Sequence, residues 1–254
     1  MPRYDFISQR LYIDQPLAKG ARLELERNQS NYLINVLRLK EQAPVLVFNG
    51  KDGEWQAILE ISGRKKAALL VTEQSRMQTA PYDLEYWFAP LKQARLEYMV
   101  QKAVEMGVGT LQPVLTEFTQ VRKLNLERMA AHAIEAAEQC GILTLPEINE
   151  PVSLQVALKT RAQDRKLIFC DEGERSQNPL PVLDTLEPSS LAVLIGPEGG
   201  FSPQEREMLR SSPQTIPIPL GPRVLRADTA AVAALAIVQA KLGDWEEKST
   251  SEAE

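Results

Sequence analysis

Leu191-Ala-Val-Leu-Ile195, running directly into Gly196-Pro-Glu-Gly-Gly-Phe201 and then Ser202-Pro-Gln-Glu205, decides the fold. Five apolar residues without polar alternation suit a strand covered on both faces, the pattern of a parallel sheet. The glycines end the strand in a turn where backbone must pass without side chains. Ser202, Pro203 and Glu205 then occupy the cap, first and third positions of a helix. Serine accepts from a free backbone N–H, proline needs no donor at the first position, and glutamate returns a bond to the cap. Strand, glycine turn and helix make one unit of an α/β domain.

Outward from this stretch the alternation continues. Residues 86–89, 111–115, 166–170 and 215–219 read as strands. Residues 95–106 read as a helix with Leu96, Met99, Val100, Ala103 and Met106 on one face and Gly107 just past its end. Residues 125–140 read as a helix capped by Asn125, and an Ala-rich helix from about residue 228 to 242 closes the domain. The N-terminal third differs. Residues 44–48, 54–60 and 67–71 are short strand-like runs punctuated by Asn49-Gly50, Asp52-Gly53 and Ser62-Gly63, which suggests a small barrel. Leu33, Val36 and Leu37 have helical spacing within residues 31–38. The expected organisation is a β-barrel domain over 1–73, a polar, proline-containing linker over 74–83, an α/β domain over 84–243 and a disordered acidic tail over 244–254.

Composition narrows the function classes. With 44% hydrophobic and 25% charged residues the chain resembles an ordinary globular protein. It has no apolar run of membrane-spanning length and no apolar signal core near Met1, so a cytoplasmic protein is expected. Two cysteines, Cys140 and Cys170, and the single His132 leave no CxxC pair, no zinc ligand set and no hydrolase triad. Both cysteines are expected to be buried, and Trp55 and Trp87 to sit in strand cores. The net charge of −5 is uneven: residues 1–72 carry 11 Lys/Arg against 8 Asp/Glu, whereas residues 244–254 carry 5 acids and 1 base. That asymmetry permits a nucleic-acid-facing N-terminal domain.

Two loops offer chemistry. Gly196–Phe201 is neither a P-loop nor a GxGxxG turn, and taken alone a tight strand-to-helix turn explains it better than a ligand site does. Leu220-Gly-Pro-Arg-Val-Leu-Arg-Ala-Asp-Thr229 joins a strand to the last helix. It can present backbone amides, two guanidinium groups and a carboxylate together, or Asp228 and Thr229 can simply cap the helix.

Together Gly196–Phe201, Leu220–Arg226 and Thr229 resemble the motif pair of the 16S ribosomal RNA (uracil-N3)-methyltransferase family, of the SPOUT superfamily. Gln101-Lys102 with Glu105-Met-Gly-Val108, Glu135-Ala-Ala-Glu-Gln-Cys-Gly141 with Pro146-Glu-Ile148, Val36-Leu-Arg-Leu39 and the Asp52-Gly53 turn are similar to further family segments. The resemblance implies a C-terminal parallel-sheet domain tied in a trefoil knot, behind a PUA-like β-barrel that binds RNA. It implies S-adenosyl-L-methionine held among three loops at a homodimer interface, 16S rRNA or the small ribosomal subunit as partner, and no metal. Leu194, Ile195, Gly196, Glu198, Gly199, Gly200, Leu220, Gly221, Val224, Leu225 and Thr229 would hold the cofactor, Glu198 by bonding the loop itself. Arg3, Arg10, Arg38, Lys92 and Arg122 would meet RNA.

For the chemistry, N3 of uracil must lose a proton, and a cation near O2 or O4 would stabilise the resulting anion. Arg226 is the first candidate and Arg223 the second. Asp228 is expected to orient Arg226, because an ordinary aspartate with a pKa near ~3.9 is a weak base for this proton. Three positions depart from the family pattern: Phe118 and Ile142 stand where arginine is usual, and Asp228 where glutamate is usual. Two rival readings are a ribose 2′-O-methyltransferase of the same superfamily and a catalytically inactive RNA-binding protein. The barrel and the Leu225-Arg-Ala-Asp-Thr229 form argue against the first; Phe118 and Ile142 keep the second open.

Overall fold

A computed structural model describes residues 8–64, 66–171, 173 and 178–245. The chain divides into two compact units, residues 1–80 with 137–145, and residues 81–136 with 146–254.

The first unit is a five-stranded sheet built from β1 (Arg10–Tyr12), β2 (Arg22–Glu24), β3 (Pro44–Phe48), β4 (Glu54–Gly63) and β5 (Lys66–Arg76), in the order β1-β3-β4-β5-β2. Only the β1–β3 pair is parallel. Alternate residues of β4 and β5 face each other inward, Ala57 opposite Val71 and Leu59 opposite Leu69, and join Leu11, Ile13, Leu23, Leu33, Val45 and Val47 in one core. The turn before β4 is fixed chemically: Asn49 Oδ1 accepts from the N–H groups of Lys51 (2.9 Å) and Asp52 (2.8 Å). Gly53 is required there, with φ +79°, because a Cβ would lie 2.3 Å from the carbonyl oxygen of Arg76.

Three expectations need correction here. The helix begins earlier than residue 31, as α1 (Arg27–Asn31), because Glu26 and Gln29 form a capping box. It continues as a π-helical turn over Tyr32–Val36, which moves Val36 off the buried face and leaves it 61% exposed. Residues 74–76, expected in the linker, are strand, with Arg76 held by Glu54 (Nη2 to Oε2, 2.7 Å). Ser62-Gly63 ends β4 at the hairpin, as the turn signal predicts.

The second unit carries the long parallel sheet. Its strands are β6 (Leu84–Phe88), β7 (Thr110–Leu115), β8 (Glu147–Ile148), β10 (Lys166–Cys170), β11 (Leu191–Ile195) and β12 (Thr215–Ile218), ordered β12-β10-β11-β6-β7-β8, with β9 (Val152–Ser153) also paired to β7. Every pairing is parallel. All five residues of β11 are buried, as the uninterrupted apolar run predicts. Helices α2 (Gln93–Glu105) and α7 (Ala227–Leu242) pack against each other. Helix α2 buries Leu96, Met99, Val100 and Ala103, but Met106 lies past its last turn and is only half-buried. Helix α3 (Leu126–Cys140) is capped by Asn125, whose Oδ1 accepts from Arg128 N at 2.9 Å. Cys140, expected to be buried, is exposed at that helix's end. The remaining helices are α4 (Leu154–Thr160), α5 (Leu180–Leu183) and α6 (Pro203–Ser211).

Candidate active site

Strands β12, β10 and β11 are neighbours and run in one direction, so the loops that follow them emerge side by side at their carboxyl ends. Ligands of open α/β sheets bind at such an edge. The three loops enclose a pocket of about 380 Å³, within the range of roughly 300–1,000 Å³ usual for small molecules.

The loop after β11 is shaped by one ring. Phe201 packs edge-on against Phe169, centroids 5.1 Å apart, and covers Gly196 so closely that a Cβ there would lie 2.6 Å from the ring. Gly200 turns the chain with φ +69° and bonds back to the Pro197 carbonyl at 2.9 Å. Ser202 and Glu205 form the expected capping box at the start of α6. The buried Glu205 does more: its Oε1 accepts from Glu117 N at 2.8 Å, joining the loop after β7 to the site.

The end of β10 supplies Cys170, and the loop after it Asp171. Burial pushes the Cys170 thiol pKa up, so it is a neutral wall rather than a nucleophile. Asp171, 2% exposed, is pinned by Arg210 (2.7 Å), Arg206 (3.2 Å) and the N–H of Gly173 (2.9 Å). The sequence offered no signal for it beyond a carboxylate at a strand end.

The loop after β12 lines the pocket from Pro219 to Arg226, and Ala227 and Ala230 of α7 extend the wall. Arg223 and Arg226 are exposed, and Val224 between them is 84% exposed. Helix α7 starts at Ala227 with Arg226 at its cap position, so Asp228 sits inside the first turn and caps nothing from outside. Its Oδ1 accepts from Thr229 N at 2.9 Å. Among the described residues it makes no ion pair with Arg226, so the orienting contact expected from the sequence is not formed.

Of the expected cofactor residues, Ile195, Gly196, Glu198, Gly200, Leu220, Gly221, Val224 and Leu225 line the pocket together with Arg223 and Arg226. Leu194 is fully buried in the sheet instead. Gly199 faces away, its missing Cβ 3.2 Å from Phe118, and Thr229 is exposed in the first turn of α7. Glu198 pairs with Arg95 of α2 (3.1 Å). Beside that pair a second groove is lined by Lys92, Ala94, Arg95, Gln120 and Glu198. Arg95 and Gln120 had no sequence motif to mark them.

Of the expected RNA contacts, Arg38, Lys92 and Arg122 are exposed. Arg3 lies outside the described residues. Arg10 does not fit the role: its side chain is 6% exposed, with Nε on Glu54 (2.6 Å) and Nη1 on the carbonyl of Glu138 (3.3 Å). It works inside the first unit, where a buried carboxylate needs a cation. Among the described residues no group of His, Cys, Asp and Glu side chains is arranged to hold a metal, and no helix is long and apolar enough to cross a membrane.

A family model for an RNA methyltransferase domain matches residues 78–239, which include every residue lining the pocket. A second, for an RNA methyltransferase PUA domain, matches residues 25–72. Ribosomal RNA small subunit methyltransferase E of Rickettsia conorii is 34% identical over 232 residues, 91% of this chain and 94% of the relative. The chain belongs to the ribosomal RNA small subunit methyltransferase E family. A relative of the same name from Buchnera aphidicola is 29% identical over 92% of the chain and 97% of its own length. Among solved structures, ribosomal RNA small subunit methyltransferase E from Neisseria gonorrhoeae, bound to S-adenosyl methionine, superposes with a TM-score of 0.83 at 27% identity, covering 94% of this chain and all of that one. The family's two matched regions correspond to the two contrasting architectures, a largely antiparallel sheet and a parallel α/β sheet.

Proposed function

We propose that this chain is an S-adenosyl-L-methionine-dependent methyltransferase acting on N3 of a uridine in 16S rRNA of the small ribosomal subunit. The observation that carries the reading is the pocket at the carboxyl ends of β10, β11 and β12, where both motif loops meet.

The residues present fit the cofactor. Gly196, Gly200 and Gly221 line the pocket, and a Cβ at Gly221 would project into free space where a ligand can approach the backbone. Ile195, Leu220 and Leu225 offer apolar walls for a flat base. When bound, S-adenosylmethionine supplies a methyl group already activated on sulfur. The chain then has to seat the uracil and stabilise its anion. Arg226 and Arg223, exposed on the pocket wall, would meet the charge that spreads over O2 and O4 as N3 loses its proton. Asp228 lies in the first turn of α7 and would orient Arg226 once RNA is seated.

The same reading includes a cytoplasmic protein, the trefoil knot and a homodimer. Helix α7 supports the dimer: Val232, Ala233, Ala236 and Ile237 leave a second apolar stripe only partly covered. Arg38 supports RNA binding by the PUA-like barrel. Nucleoside mass spectrometry of rRNA from a strain lacking this protein tests the function. Loss of N3-methyluridine from 16S rRNA, restored by the purified protein, is the expected result; a lost ribose methyl or no lost methyl would overturn it.

A further inference from the structure

Outside the cofactor pocket, the exposed surface around Phe118 has no role in what has been described. Phe118 is 43% exposed, at the tip of the turn after β7. One face of its side chain lies on Gly199, so the ring borders the cofactor loop directly. The turn beneath it is rigid. Thr119 Oγ1 accepts from Thr116 N at 2.8 Å, the two hydroxyls bond at 2.9 Å, both threonines are buried, and Glu205 holds Glu117 N at 2.8 Å.

A groove of about 340 Å³ lies on the other side of the cofactor loop's Glu198, lined by Lys92, Ala94, Arg95, Gln120 and Glu198, so two cations, a carboxylate and an amide border a largely apolar floor. Glu198 lines this groove and the cofactor pocket alike, so the two cavities share a wall. A methyl acceptor must come in beside the donor pocket. The Arg95–Glu198 pair at 3.1 Å is more than one-third exposed on both sides. Such pairs contribute little, so Arg95 can turn to another anion at small cost.

We propose that Phe118 and this groove form a subsite for one nucleotide of the RNA, with the base stacked on the Phe118 ring and its phosphate held by Arg95 and Lys92. The proposal rests on the RNA methyltransferase reading above and adds residues to it. An exposed ring on Gly199, with two cations and an amide in the groove at the adjoining Glu198, matches a base with its phosphate better than an apolar peptide anchor, which needs an enclosed apolar pocket. Stacking tolerates any base, so the subsite places the strand rather than reading its sequence.

The test uses the full-length chain with two readouts: binding of a short fluorescent oligouridine across a salt series, and methyl transfer to small ribosomal subunits lacking the mark. Phe118→Leu keeps apolar packing on Gly199 but removes the aromatic face. It should weaken RNA binding by roughly 5- to 150-fold. Phe118→Trp should bind at least as well as the original. Arg95→Gln should weaken binding and flatten the slope of log affinity against log salt by about 0.7 for one lost phosphate contact. S-adenosylmethionine affinity, followed by calorimetry, should stay unchanged in all three. RNA binding by Phe118→Leu equal to the original would overturn the stacking role. A parallel loss of cofactor affinity would overturn it too, in favour of a ring that only props the Gly199 loop. If the unaltered chain neither binds nor methylates RNA, the RNA methyltransferase reading itself fails. If it methylates and the variants do so equally well, the subsite alone is wrong.

Discussion

Glu205 and Glu117 meet across the site: Oε1 of Glu205 accepts the backbone N–H of Glu117 at 2.8 Å, while its Oε2 accepts the N–H of Ser202 at 3.0 Å. One buried carboxylate thus closes the cap of α6 and fixes the turn that carries Phe118. The capping pattern predicts the bond to Ser202; the bond to Glu117 lies outside it. Glu205→Gln keeps one acceptor and turns an N–H group toward the other donor. It should lower stability by about 1–2 kcal/mol, and Glu205→Ala by about 2–4 kcal/mol, the range for charge-assisted bonds and a lost cap. Urea denaturation measures both, and an unchanged midpoint for Glu205→Ala would show that the contacts carry no weight.

Gly196 is specified by Phe201 rather than by a left-handed backbone. A methyl group there would sit 2.6 Å from the ring, which is itself wedged against Phe169. Gly196→Ala should therefore shift the ring, cost about 1–3 kcal/mol by overpacking and reduce cofactor affinity. At Gly199 the added atom would meet the Phe118 Cβ at 3.2 Å, a milder contact that a shift of a few tenths of an ångström relieves. Calorimetry with S-adenosylmethionine should find a clearly larger loss for Gly196→Ala than for Gly199→Ala. Equal losses would refute this account of the loop.

The parallel strands were legible because burial on both faces removes polar residues: β10 and β11 have the bounds read from the sequence. The α6 cap was legible because its chemistry is local. Strands β1 and β2, of three residues each, and β8 and β9, of two, are too short to show a period of two. Long-range polar contacts were equally invisible. Arg10 looked like a surface cation, but Glu54, 44 positions away, takes it into the interior. Asp171 and Arg95 belong to the site only through partners on α6 and the cofactor loop. The arginines of the last loop were found because sequence alone places them between two motif residues.

The cluster around Glu54 gives a pH dependence. Burial alone would raise the Glu54 pKa, but hydrogen bonds from Arg76, Arg10 and Ser75 outweigh it and hold the pKa below the usual glutamate value. A lowered native pKa means stability that is fully present above the unfolded value and is lost as pH falls through the native one. Denaturant midpoints should decline from about pH 5 downward. Glu54→Gln should lower stability at neutral pH by about 3 kcal/mol. It should also flatten the acid decline, since the titrating group is gone. A variant with the same acid slope as the original would place the effect elsewhere.

Arg226 allows the sharpest separation of chemistry from structure. Its side chain is exposed on the pocket wall, and the bond it contributes to the fold, from Ala230 N at 2.8 Å, uses its backbone carbonyl. Arg226→Ala should therefore leave stability within about 0.5 kcal/mol. If the guanidinium stabilises the uracil anion, losing it should slow methyl transfer by about a hundred- to a thousandfold, or about 2.7–4 kcal/mol. Cofactor affinity should change little. Arg226→Lys should recover only part of the rate, because an ammonium cannot supply two parallel bonds to a planar anion. Single-turnover rates at saturating RNA and cofactor separate these cases from weaker RNA binding. A rate for Arg226→Ala near that of the original would pass the role to Arg223, which lines the same wall three residues earlier. Loss of cofactor binding in Arg226→Ala would instead assign the guanidinium to the donor side of the pocket.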